Sequence, residues 1–333
     1  MPFSIGEGIG SRSNAQPIAP PTSQNAAGKG EFHMDAVTTI DLSKIYGKRT
    51  ALHAVDLSVP EGAIFGLLGT KQSGRTTLIR ILCGLLPPTQ GRATVLQLSP
   101  QKETGKLHTL CGVTSASANL YGQMSGLDNL LFFSSFYQIS PADARERATY
   151  LMKELDLWDL RDTLVSAYSP GAKERLSLAR AVLHRPKILF RDEPADAIDI
   201  ESAERITALL ASLNREEGMT IFLSANMLGQ AQSICTAYGI LQRGTMTAQG
   251  TYEALWRAAG LSLSAEIRTV PEPSDSQAPQ DGWLSRPISS ESEMPLLIKQ
   301  LLESGKPVFE ARIVRPSLSE IFSAHTQPKE ALL

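Results

Sequence analysis

The stretch Ala63–Leu82, AIFGLLGTKQSGRTTLIRIL, constrains this chain more than any other. Ala63–Leu68 is an apolar run of strand length that ends at Gly69. A polar loop, Gly69–Gly74, follows, and then Leu78, Ile81, Leu82 and Leu85 fall at helical spacing. Strand, glycine-bounded loop and helix is the layout of a phosphate-binding P-loop, written G-x-x-x-x-G-K-[ST]. Gly69 and Gly74 supply its glycines and Thr76 its hydroxyl, while Arg75 stands in the lysine position. Backbone N–H groups of such a loop, with a helix N-terminus behind them, form an anion site that asks little of side chains. By itself this near-match also fits an ordinary strand–turn–helix corner, so the rest of the chain has to decide.

At 333 residues and 42% hydrophobic, the chain is long enough for one large α/β core and a smaller appendage. A formal net charge of −2 gives no sign of a general nucleic-acid surface. Cys83, Cys111 and Cys235 show no paired spacing and read as reduced thiols in cytoplasm. No apolar run approaches the ~20 residues of a membrane span, and the first residues lack a basic then apolar leader. Any membrane role is therefore expected to come through a partner.

Residues Met1–His33 hold almost no large apolar groups, which predicts a disordered tail with Met34 as an alternative start. Strands are expected at Val37–Leu42, Val55–Val59 and Ala93–Leu96, with Lys44-Ile45-Tyr46-Gly47 between the first two. From Gly126 to His184 the pattern is helical: Ser140 with Pro141 starts a helix whose Ala144, Ala148, Leu151 and Leu155 share a face. Tyr168-Ser169-Pro170-Gly171-Ala172 opens another, through Leu183. Lys187–Asp192 reads as a buried strand ending in Asp192-Glu193-Pro194, Ile200–Leu213 as a helix, and Thr220–Ser224 as a strand running into Ala225-Asn226. A hairpin is expected around Arg243-Gly244. The Pro/Ser/Asp-rich run Val270–Asp281 reads as a linker, followed by a helix at Met294–Leu302, a strand at Val308–Val314 and the segment Ser317–Phe322.

In this order the elements resemble the ATP-binding subunit of an ABC transporter over roughly Val37–Thr251. The stretch Arg185–Pro194 is similar to the run from the family's signature helix to its Walker B strand. Ser169 and Gly171, about twenty residues before Asp192, match the signature, and Gln242–Thr251 is similar to the closing hairpin. The ending Pro316–Phe322 looks like the tail of drug-exporting members. The resemblance implies a P-loop NTPase core of ABC-ATPase type, α/β, within residues 34–260, with an inserted helical subdomain at about 126–184. It further implies a linker and small C-terminal α/β extension at 261–333.

Carried over position by position, the resemblance implies ATP and Mg²⁺ as cofactors. Tyr46 stacks on adenine, unless it is only a half-buried loop tyrosine. Gly69, Gly74, Arg75, Thr76 and Thr77 hold phosphates, Thr76 and Asp192 hold Mg²⁺, and Glu193 polarises the attacking water. Ser169 and Gly171 face a partner's nucleotide, Asn226 stands at the switch-histidine position, and Asp199 is either the D-loop aspartate or a helix N-cap. The implied partners are a membrane permease, docking near Asn119–Leu127, and an identical or different second ATP-binding subunit, with no nucleic acid. That places the protein in the cytoplasm, peripheral to the inner face of the membrane.

Several positions depart from the family's pattern. Arg75 keeps the charge of the lysine but not its compact ammonium. Gln72 replaces a loop glycine, at a cost of about 1 kcal/mol if φ is positive there. Ala116 lacks the Q-loop oxygen, Pro170 removes a signature N–H, and Asn226 carries no charge. Losing one preorganised donor typically costs ~10²–10³ in rate, so hydrolysis is expected to suffer more than binding. The alternatives are an ATPase whose substitutions are compensated and a non-transport P-loop protein. Arg191, beside Asp192, is expected to point away from the nucleotide; with no carboxylate to meet it, Arg191→Leu would leave stability unchanged or raised.

Overall fold

The computed structural model describes residues 34–115, 120–192, 199–225, 228–270 and 282–327. The N-terminal tail, Ala116, Glu193, Asn226 and most of the expected linker lie outside them. The chain opens with a long hairpin, β1 (Asp35–Tyr46) and β2 (Arg49–Pro60), and proceeds to β3 (Ile64–Leu68), α1 (Arg75–Leu82), β4 (Gln90–Val95), α2 (Thr104–Leu110) and β5 (Cys111–Ser115). Three helices come next: α3 (Gly126–Ser134), α4 (Pro141–Glu154) and α5 (Pro170–Val182). Then follow β6 (Ile188–Asp192), α6 (Ile200–Glu217), β7 (Thr220–Ala225), α7 (Leu228–Ile234), the hairpin β8 (Ala237–Gln242) and β9 (Thr245–Gly250), and α8 (Tyr252–Ala258). The chain closes with β10 (Leu263–Thr269), β11 (Trp283–Ile288), α9 (Met294–Glu303), β12 (Val308–Val314) and α10 (Leu318–Thr326).

The strands form three sheets among the described residues. The largest has the order β5-β6-β7-β3-β8-β9, parallel except for the β8–β9 hairpin. Its β3 is buried at every residue, as an apolar run covered on both faces requires. The second sheet, β2-β1-β4, is antiparallel and was not legible as a separate layer. Its first two strands extend well past the expected Val37–Leu42 and Val55–Val59, because pairing continues to the turn at Tyr46↔Arg49. Tyr46 is thus a strand-end residue and not a loop residue. The third sheet, β11-β10-β12, belongs to the C-terminal segment, where β10 buries Leu263, Ala265 and Ile267 on its alternate positions.

Helix starts follow their caps. Ser140 and Ser169 each accept the N3 amide of a helix whose N1 residue is proline, where a missing N–H costs nothing to the helix. The last helix returns to the core: Leu318 and Ile321 are fully buried in one cluster with Leu68, Tyr238, Ile240 and Leu255. Gln242 donates its side-chain amide to the Thr326 carbonyl at 2.7 Å, and Gln232 accepts the Leu318 N–H at 3.1 Å.

Candidate functional site

The Gly69–Gly74 loop joins the carboxyl end of β3 to α1, at the edge where open parallel sheets bind ligands. Gly74 lies in the left-handed region at φ 108° and a Cβ there would sit 2.6 Å from the Ala51 carbonyl oxygen. Gly244, at φ 83°, meets the same oxygen at the same distance. The β8–β9 turn is hydrogen-bonded to the loop through Gly244 N–H to Ser73 O, 2.8 Å, and to β2 through His53 N–H to Gly244 O, 2.8 Å. The loop is therefore held by backbone from two sides. Gln72 sits at φ 69°, so the strain expected for a side chain at that position is present.

Beside this loop opens a cavity of about 440 Å³. Tyr46 bounds it together with Gln72, Ser73, Gly74, Arg75, Thr76 and Thr77, so most of the residues named from the P-loop pattern come together. Lys44 Nζ lies 5.3 Å from the Tyr46 ring centroid while donating to the Pro87 carbonyl, which gives the ring a cationic neighbour. Thr76 Oγ1 donates to Asp192 Oδ1 at 3.2 Å, joining α1 to the end of β6. A hydroxyl and a carboxylate oxygen side by side are hard donors suited to Mg²⁺ with water completing its shell. Arg75 is 2% exposed and already engaged in an interaction within the fold.

Sequence reasoning missed Arg49, Thr50, Ala51 and Arg243, which also line the cavity. Arg49 is the cross-strand partner of Tyr46, a relation visible only once the β1–β2 register is known. The Arg243-Gly244 turn was legible as a turn, but nothing local ties it to a loop some 170 residues earlier.

Ser169 and Gly171 are not among the residues lining this cavity. Ser169 caps α5, accepting the Ala172 N–H at 3.2 Å, and Gly171 packs against Asp199 and Ser202 at the start of α6. Asp199 is that helix's N-cap: it accepts the Ser202 N–H at 2.7 Å, and this bond with the Ser202 hydroxyl holds its carboxyl below the usual carboxylate range. Glu193, Asn226 and Ala116 lie outside the described residues.

Arg191 corrects one expectation. It is 5% exposed and does point toward a helix, but a carboxylate meets it: Nη2 lies 2.9 Å from Oε1 of Glu174 on α5. Burial lowers the guanidinium's pKa and Glu174 opposes that shift. Arg191→Leu would therefore leave the largely covered Glu174 carboxylate without its cation, and the neutral or stabilising outcome no longer follows.

The family described as ABC transporter matches residues 52–196. The daunorubicin resistance ATP-binding protein DrrA2 of Streptomyces coeruleorubidus is 30% identical over 322 residues, 89% of this chain and 98% of that protein. The linearmycin resistance ATP-binding protein LnrL of Bacillus subtilis is 31% identical over 63% of this chain and 68% of its own. Among solved structures, the ATP-binding subunit of an ABC transporter aligns with TM-score 0.64 and 23% identity, over 68% of this chain and 94% of that one. A dimeric ATP-binding cassette in a post-hydrolysis state, bound to ADP and Pi, aligns at TM-score 0.60 and 25% identity, over 65% and 98%.

Proposed function

From the premise that the chain belongs to the ABC transporter ATP-binding family, we propose that it is the nucleotide-binding subunit of an exporter whose ATP binding is retained and whose hydrolysis is weak. The observation that carries the reading is the cavity bounded by an aromatic ring and a backbone-held phosphate loop, whose Thr76 is hydrogen-bonded to Asp192 at the end of β6. Tyr46 offers a face for adenine. The amides from Gly74 to Thr77, at the N-terminus of α1, would donate to phosphate oxygens. Thr76 and Asp192 would hold Mg²⁺, which offsets charge on the phosphates. Glu193 remains in the sequence to orient water, while Ala116 and Asn226 lack the groups that sense the γ-phosphate.

Family members work with membrane permeases and dimerise. Among the described residues no helix is long and apolar enough to cross a membrane. A permease as partner would put this subunit at the inner membrane face. The docking surface would take in the loop before α3, where Asn129 accepts the Tyr121 N–H and donates to the Tyr121 and Ser125 carbonyls. There Tyr121, Phe132 and Phe136 are exposed and their rings lie 5.2–5.3 Å apart in edge contacts with Phe132. Dimerisation head to tail would bring Ser169 and Gly171 of one copy to the partner's cavity.

Purified protein should bind Mg·ATP and hydrolyse it at a rate near background. Restoring Arg75→Lys, Ala116→Gln and Asn226→His together should raise turnover, and adding Glu193→Gln should abolish the gain. Robust turnover by the unmodified chain, lost in Glu193→Gln, would overturn the weak-hydrolysis reading and leave a compensated ATPase.

A further inference from the structure

We propose that Arg243, at the turn of the β8–β9 hairpin, binds the polyphosphate of the nucleotide and supplies the cation that other P-loops draw from their lysine. The inference rests on the ATP-binding reading above. Three independent observations lead to it.

The first is the charge of the cavity. Among the described residues that line it are Arg49, Arg75 and Arg243 and no carboxylate, in a chain whose net charge is −2. A concave site lined by one sign of charge focuses its field on a ligand of the other sign. Arg75 is buried and engaged, which leaves the two exposed arginines to meet a polyanion. Among the described residues neither Arg49 nor Arg243 makes an ion pair.

The second is the anchoring. Gln242 pairs with Thr245, so Arg243 and Gly244 form a two-residue hairpin loop. The Gly244 N–H bond to Ser73 O fixes that loop directly to the residue before Gly74. Arg243 thus projects from backbone already registered against the phosphate loop. Arg49 sits differently, opposite Tyr46 at the base end of the cavity.

The third is the residue type itself. Arg243 has φ 48° and Gly244 φ 83°, positive at both central positions, as a type I′ turn requires. Asn, Asp or Gly suit the first of these positions, and an arginine there is strained by about 1 kcal/mol or more. Of the described non-glycine residues at positive φ, only Gln72 and Arg243 line this cavity, and of the two only Arg243 carries a charge.

The test is a binding series with the full chain and Mg²⁺, measuring adenosine, ADP and ATP by calorimetric competition. Arg243→Gln should leave adenosine unchanged and weaken ADP and ATP by about tenfold, the loss expected for one charge-assisted hydrogen bond. Arg243→Lys, which keeps the charge on the same strained backbone, should recover most of that loss. Wild-type binding of ATP with no change in Arg243→Gln would overturn the inference and leave the nucleotide reading standing. An equal loss for all three ligands would also overturn it, by showing that the residue only shapes the cavity. Failure of the wild-type chain to bind either nucleotide would overturn the ATP-binding reading itself, and this inference with it.

Discussion

The phosphate loop and the end of β6 flank the same hydroxyl–carboxylate contact, yet they absorb unusual residues in opposite ways. In the loop, position is set by backbone: Gly74 and Gly244 close on the Ala51 carbonyl, and the Gly244 N–H fastens the turn to Ser73. Gln72 can stand there at the cost of a positive φ, because the neighbouring geometry does not depend on its side chain. At the end of β6, position is set by a side-chain pair. Arg191 follows the apolar residues Ile188, Leu189 and Phe190 and is buried only because Glu174 on α5 meets it. Backbone-held sites tolerate one odd residue at a time; paired charges have to change together.

The largest effect that would sharpen this contrast lies at the pair. Glu174→Leu leaves Arg191 buried without a partner and should cost about 3–5 kcal/mol in chemical denaturation. Arg191→Leu should cost a similar amount, and the double variant should recover most of it. Additive losses in the double variant would mean that the two side chains act independently. Next comes Gly74→Ala, where left-handed strain of about 1–2 kcal/mol adds to the approach of the new Cβ to Ala51 O. A variant as stable as the parent would show that the loop is not backbone-locked. Tyr46→Ala should weaken ATP and ADP alike by roughly 1–3 kcal/mol, as loss of a base-stacking ring does. Unchanged affinity in calorimetry would remove Tyr46 from the site. The smallest effect is Gln72→Gly, which trades left-handed strain against glycine's entropy and should stabilise by roughly 0.5 kcal/mol. Destabilisation in the same assay would mean that the Gln72 side chain makes a contact worth more than its strain.

The loop, the capped helices and the closing hairpin were legible because each is written in adjacent residues. Ser140 with Pro141 and Ser169 with Pro170 start helices as their types dictate. The direction of Arg191 followed from strand alternation, but its partner did not: Glu174 lies 17 residues earlier, across a helix and a turn. The same holds for Thr76 and Asp192, 116 residues apart, whose contact was implied only by the family resemblance. The three strands of the β2-β1-β4 layer were expected, but not their pairing or full length, because register shifts along β1 and β2 interrupt the pattern and only cross-strand pairing shows where they end. Arg49 and Arg243 were missed for a related reason. Each is an unremarkable exposed cation until the fold sets it beside the loop.

The return of α10 to the core has a consequence in time. Leu318 and Ile321 complete the apolar cluster that covers Leu68, the last residue of β3 before the phosphate loop. During synthesis the amino-terminal elements emerge first and begin to fold as they appear. Helix α7 and the other cluster residues cover that face of β3 first, and α10, the last described element, closes over α7, α8 and the β8–β9 hairpin only when it has left the ribosome. The phosphate loop of the nascent subunit thus has its floor before the seal over that floor is complete.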